Sequence, residues 1–211
     1  MISIPNFEYL PTIPATEENA QSIQALTLQD LQAGTFKDPL ELADPTNETK
    51  VETQRMKLIL NPNQYTGYAD EDGQLVAYMK TNEWRTGDEA PYVGNFLTAP
   101  FARIALKKAG RSRAGSMDPA AFGIFGLVAD RSLEKDDHNE IVHDLLYRSI
   151  GQAAVQSAVL INIVIHNNDH IVLANALNLG FEPVGRRGNA AGAHGLKQQR
   201  YQRPVDLSSV A

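Results

Sequence analysis

Two apolar runs separated by an amphipathic stretch constrain this chain more than any other feature. Ala121 to Ala129 (AFGIFGLVA) is nearly continuous apolar sequence, and Val159 to Ile165 is a second such run. A strand with one face in water alternates apolar and polar residues; these two do not, so each is expected inside a sheet covered on both faces. Between them Ile141, Val142, Leu145, Leu146, Ile150 and Ala153 recur at helical spacing and give one apolar face. Asp137-His138-Asn139-Glu140 matches a capping box at the start of that helix, with Asp137 in the cap position. Strand, helix, strand predicts a parallel pair joined by a right-handed crossover. The glycines of the first run, Gly123 and Gly126, allow another backbone to approach closely.

The flanking sequence supplies the remaining elements. Phe7 to Ile13 reads as extended; Thr16-Glu17-Glu18 opens a helix with Ala20, Ile23, Leu28 and Leu31 inward, ending at Gly34. After a loop from Asp38 to Asn47, Thr46 and Asn47 can cap a second helix that runs to about Leu60, where Asn61-Pro62 stops it. Tyr65 to Ala69 and Gln74 to Met79 are strands around a tight hairpin at Asp70-Glu71-Asp72-Gly73. Asn168 or Asp169 caps a helix ending in Leu179-Gly180-Phe181, and Lys197 to Arg203 is a final strand. The Gly- and Ala-rich stretch from Gly185 to Gly195 is expected to be a flexible loop. Residues 84 to 120 read as an insertion, with a short helix opening at Pro100 and ending near Gly110.

At 211 residues with 43% hydrophobic content, the chain can bury one substantial core, and one domain spanning 1 to 211 is expected. The absence of cysteine excludes disulfides, thiolate metal ligands and a cysteine nucleophile. A net charge of -6 argues against wholesale binding of nucleic acid. No apolar stretch has the length of a membrane span, and the N-terminus carries no basic segment followed by an apolar one, so a cytoplasmic location is expected.

The order and spacing of these elements resemble the GNAT superfamily of acyl-CoA N-acyltransferases, with this chain as a divergent member. In that superfamily a central strand leads into a phosphate-binding loop and helix, then a strand, a short helix and a Gly-Phe that enters the last strands. Residues 121 to 184 follow that order, and the steps from Leu145-Leu146 to Ile165 and on to Gly180-Phe181 have similar spacing. With the hairpin at Asp70 to Gly73, the resemblance covers roughly residues 7 to 204. It implies an α/β (α+β) fold whose mixed, mostly antiparallel sheet has a central splayed parallel strand pair flanked by helices. It also implies acetyl transfer from acetyl-CoA to a primary amine of a small molecule or peptide, with no nucleic acid and no membrane involved; a homodimer is compatible with it.

The resemblance places the cofactor's pantetheine along the edge formed by Leu127, Val128 and Ala129, although a buried apolar strand needs no ligand to account for it. The family's phosphate pattern, Arg or Gln, two residues, Gly, one residue, Gly or Ala, falls on Asp137, Glu140 and Val142, and none matches. Asp136, Asp137 and Glu140 bring carboxylates to a place meant for phosphate, and like charges about 4 Å apart repel by roughly 1 to 4 kcal/mol. The approach loop, Asp130 to Asp136, is longer than in the family. Compensating charge is expected from Arg131, Lys135 or His138, or from Lys107, Lys108, Arg111 and Arg113 of the insertion. Asn139, Asn168 and Asn175 complete the expected cofactor-binding set.

The tyrosine that commonly protonates the leaving thiolate aligns with Ala176, so the acid is missing there. His166, ending the second apolar run, is the candidate catalytic acid or base. The polar run from His166 to His170 lacks a partner cluster, and no metal site is expected. A catalytically lapsed binding or regulatory module with the same fold is the alternative.

Overall fold

A computed structural model describes residues 4–33, 47–83, 121–189 and 197–206. The expected insertion and its basic cluster at 107 to 113 lie outside the described residues, as do Gly34, most of the 38-to-47 loop and Ala190 to Leu196. The elements, in chain order, are β1 (Phe7–Leu10), α1 (Glu17–Gln32), α2 (Glu48–Leu60), a 3-10 turn (Pro62–Gln64), β2 (Tyr65–Asp70), β3 (Leu75–Glu83), β4 (Ala121–Ala129), α3 (Lys135–Val155), β5 (Leu160–His166), α4 (His170–Asn178), β6 (Glu182–Asn189) and β7 (Lys197–Pro204). The seven strands form one sheet in the order β1-β2-β3-β4-β5-β7-β6. Among the described residues only β4 and β5 pair in parallel; every other neighbouring pair is antiparallel.

Local chemistry sets the element ends. The Thr16 side chain accepts from the Asn19 amide at the start of α1, and Asn47 does the same for Lys50 at the start of α2, both at 3.2 Å. At the hairpin, Asp70 Oδ1 accepts from the amides of Asp72 and Gln74, and Gly73 takes a φ of 78° that other residues adopt only at a cost. At the end of α4, Gly180 has a φ of 81° and Phe181 donates to the Ala176 carbonyl at 2.9 Å, closing the helix while the Phe181 ring enters the core.

Helices cover both faces of the sheet. On one face α3 and α4 bury Ile141, Leu145, Leu146, Val172 and Ala176 against Met79, Phe122, Ile124 and Ile163. On the other, Ile23 and Leu26 of α1 and Val51 and Leu58 of α2 pack on Tyr65, Tyr78 and Val128. Each fully buried large apolar side chain contributes about 1.5–3 kcal/mol. One charged group sits within the first core. Asp144 accepts from the Tyr68 hydroxyl at 2.5 Å and from Arg148 Nε, and the Arg148 guanidinium lies 3.7 Å over the Tyr9 ring, so α3 is tied to β1 and β2. Burial, and then donation to Asp144, push the Tyr68 hydroxyl pKa upward.

Three sequence expectations change. The extended segment at the N-terminus is a strand only from Phe7 to Leu10. The Gly- and Ala-rich stretch is not all loop, because β6 runs through Asn189. The third change is the start of α3. Glu134, not Asp137, is the cap residue; it makes no side-chain capping bond, and Asp136 and Asp137 lie in the first turn. Acidic side chains there are stabilised by the helix dipole without occupying the cap, so the helix gains residues that the capping-box reading gave to the approach loop. No helix among the described residues is long and apolar enough to cross a membrane.

Candidate functional site

β4 and β5 pair through four residues only, from Ala121↔Leu160 to Ile124↔Ile163. Beyond that point β4 continues to Ala129 and β5 to His166, and their ladder does not. The cause lies on the other edge of β4. There Lys80 pairs with Gly126 and Thr81 with Ile124, so Phe125 is an extra residue, a bulge. A bulge bends its strand and increases the local twist, and this one sits where the parallel ladder ends. The strands therefore diverge around a slot lined by Ile124 to Leu127 on one side and Ile163 to His166 on the other, with Asp169 and Val172 from the start of α4; its cavity measures about 30 Å³.

The start of α3 supplies the second part of the site. His138 N–H donates to the Glu134 carbonyl at 2.9 Å, the first bond of the helical ladder, which leaves the amides of Lys135, Asp136 and Asp137 as the terminal donors. Glu140 and Val142, the pattern positions, are the sixth and eighth residues of the helix. Their amides belong to its interior ladder, so anion-accepting N–H groups are displaced by five residues, roughly 7 to 8 Å at the helical rise. The loop before the helix runs from Asp130 to Glu134. Asp130 donates its amide to the Val76 carbonyl at 2.7 Å, and its Oδ1 accepts from Ser132 at 2.8 Å.

Arg131 projects from this loop toward α1. Its Nε donates to Asp30 Oδ1 at 2.8 Å and its amide to Gln29 Oε1 at 3.3 Å. The Asp30 side chain is 8% exposed and that of Arg131 40%. Arg131 is thus committed in part to a buried carboxylate. His138 lies beside it; burial, and then the Arg131 charge, lower its pKa, against the opposing pull of the Asp130 carbonyl. Lys135 is exposed at the helix start.

His166 and Asp169 line the slot together, and the Asp169 amide donates to the His166 carbonyl at 3.0 Å. Of the two expected caps for α4 it is Asp169 that serves, accepting from Val172 N–H at 3.1 Å, while Asn168 is exposed in the preceding turn. Burial raises the Asp169 pKa from 3.8 to about 7; the Val172 bond opposes this, the Asp30 charge adds to it, and Arg131 opposes it. On α4, Asn175 donates to Asn139 at 2.9 Å and to the Ile171 carbonyl, and its Oδ1 meets His143 Nδ1 at 3.2 Å, joining α3 to α4. Ala176 is completely buried.

The architecture has close counterparts among solved structures. A GNAT superfamily phosphinothricin acetyltransferase from Sinorhizobium meliloti, in complex with acetyl-CoA, superposes with a TM-score of 0.61 over 98% of this chain and 92% of its own, at 16% identity. This is the GNAT fold. A chain of the NatC complex bound to Gag peptide and CoA matches with a TM-score of 0.62, 12% identity and coverage of 95% and 99%. A ribosomal-protein-S5-alanine acetyltransferase from Vibrio fischeri gives 0.59 at 10% identity, with 97% and 96% covered. No family model matches the chain, and no curated protein matches it by sequence.

On this GNAT fold the anticipated residues divide into groups. Leu127 and His166 share the slot. Val128 continues the β4 edge, but its side chain joins the core beneath α1 and α2, and Ala129 joins the opposite core. Arg131, Lys135 and His138 surround the start of α3. Asn139 and Asn175 bond to one another. Asp30 and Asp169 are the residues that sequence reasoning missed as site members. Asp169 was legible as a helix cap, but its proximity to Asp30, 139 residues away (169 − 30), carries no local signal.

Proposed function

We propose that the chain is an N-acyltransferase that moves an acetyl group from acetyl-CoA to a primary amine of a small molecule or peptide. The supporting observation is the bulge at Phe125 and the divergence of β4 from β5, which leave Gly126 to Ala129 beyond the parallel ladder. An amide-bearing arm such as pantetheine satisfies such an edge as a neighbouring strand does, and a backbone N–H beside a thioester carbonyl polarises it. The pantetheine side fits. The phosphate side fits differently from the family pattern: the first-turn amides are free of side-chain caps, and Lys135 is available, but Asp136 and Asp137 lower the local affinity for anions.

The reaction is attack of a neutral amine on the thioester carbonyl, for which positioning and carbonyl polarisation supply most of the acceleration. The test has two stages. Acetyl-CoA is titrated by calorimetry at low and moderate salt, and thiol release is then followed across a panel of small-molecule and peptide amines. Saturable binding followed by amine-dependent thiol release is expected; no saturable binding at millimolar acetyl-CoA refutes the proposal. The displaced start of α3 and the buried Ala176 favour a second reading, a binding or regulatory module without turnover. Cofactor binding with no thiol release to any amine would select it.

A further inference from the structure

Asp169 combines three features at one point. It lines the slot beside the diverging β4 edge, its Oδ1 is fixed by the Val172 amide at 3.1 Å, and it is partly open to solvent. His166, which shares the slot, is 3% exposed and so exchanges protons with water less readily. The groups around Asp169 come from every neighbouring element: Asp30 on α1, Arg131 on the loop after β4, His166 at the end of β5 and His170 in the first turn of α4. His138 of α3 lies near Arg131; burial, and then the Arg131 charge, lower its pKa.

We propose that Asp169 is the proton-transfer residue of the slot, carrying a proton from the attacking amine to the departing thiolate. This rests on the acyl-transfer reading above. The amine nitrogen forms a bond to the thioester carbon, giving a tetrahedral adduct with an ammonium and an oxyanion. As the C–S bond breaks and its electron pair leaves on sulfur, the protonated Asp169 carboxyl gives its proton to sulfur. The resulting carboxylate takes one proton from the new N–H⁺, leaving a neutral amide, a free thiol and Asp169 protonated as at the start. No oxidant or further reactant is needed. A carboxyl poised near neutrality suits both halves of the cycle, and Asp169 has that poise from burial and from Asp30. The fixed Oδ1 orients the group, and Oδ2 is the oxygen that exchanges.

Asp169→Asn retains an oxygen for the Val172 amide and removes only the titration. With acetyl-CoA and the best amine of the panel, it is expected to bind acetyl-CoA within threefold of the native chain. It should lose about 100-fold or more in kcat, along with the near-neutral limb of the pH profile. His166→Gln should keep that limb. On the native chain, the assigned Asp169 carboxyl carbon should titrate near neutrality in NMR and shift when CoA is added. Titration in the ordinary carboxylate range, indifference to CoA, or an Asp169→Asn variant with native kcat and pH profile overturns the assignment. Failure of the native chain to bind acetyl-CoA, or to release thiol to any amine, defeats the acyl-transfer reading and the assignment with it, and is seen before any variant is made.

Discussion

If Asp169 is held protonated by its surroundings, it should reduce the stability of the fold when forced to ionise. Its pKa is 3.8 for an ordinary aspartate and about 7 here. A raised carboxyl pKa means that the folded chain binds more protons than the unfolded chain between those values, so stability falls as pH rises through that window and is level above it. About three pH units at 1.36 kcal/mol each give roughly 4 kcal/mol at pH 8, an upper bound for a partly exposed group. At pH 4.5 the same reasoning leaves about 1 kcal/mol. Asp169→Asn keeps the cap and cannot ionise. Relative to the native chain it should therefore gain about 1 to 3 kcal/mol on going from pH 4.5 to pH 8. With a urea m-value of about 2 kcal/mol/M, the difference between the two midpoints should widen by roughly 0.5 to 1.5 M. Urea unfolding of both proteins at the two pH values measures this directly. A midpoint difference that stays constant, or shrinks toward pH 8, would refute the account of Asp169 as a carboxyl disfavoured in its charged form.

Three further perturbations probe other parts of the structure. Arg148→Met leaves Asp144, 2% exposed, with only the Tyr68 hydroxyl, and should cost about 3 kcal/mol in chemical denaturation, whereas Tyr68→Phe, which keeps the ion pair, should cost about 1 to 2. Gly67→Ala places a Cβ against the Ala77 carbonyl oxygen in the neighbouring strand, and a loss of about 1 to 3 kcal/mol with a lower Tm is expected. The paired change Asp136→Asn and Asp137→Asn should tighten acetyl-CoA binding about three- to tenfold at low salt, with the gain shrinking as ionic strength rises; calorimetry at two salt concentrations reads both effects.

The sequence was most informative where structure depends on near neighbours. Continuous apolar runs marked β4 and β5, Asp70 to Gly73 marked the hairpin, and Gly180-Phe181 marked the end of α4, because each signal is complete within a few residues. The start of α3 was misread for an instructive reason. Asp137 and Glu140 satisfy the spacing of a capping box, yet Lys135 and Asp136 are also compatible with helix, and nothing local decides between a capped start and an acidic first turn. The bulge at Phe125 was not legible, since Gly123 and Gly126 indicated only close backbone approach and its position depends on which residue of β3 faces which residue of β4. For the candidate site, the family resemblance pointed to Leu127 and the end of the second apolar run to His166, and both line the slot. Asp169 was not anticipated, since its unusual acidity depends on burial and on Asp30, which tertiary structure alone brings near.

The four-residue ladder between β4 and β5 also makes the middle of the sheet a thin seam, no longer than the edge ladder between β1 and β2. Four strands lie on one side of it and three on the other, joined across it by the pairs from Ala121↔Leu160 to Ile124↔Ile163 together with the helices above and below. An extended ligand laid along Gly126 to Ala129 would act as a splint, bonding to one half of the sheet while packing against the other. Its binding energy would then appear twice, as affinity and as resistance of the seam to opening. Amide exchange in the last residues of β4 and β5 should slow when the slot is filled, even where the ligand touches no side chain.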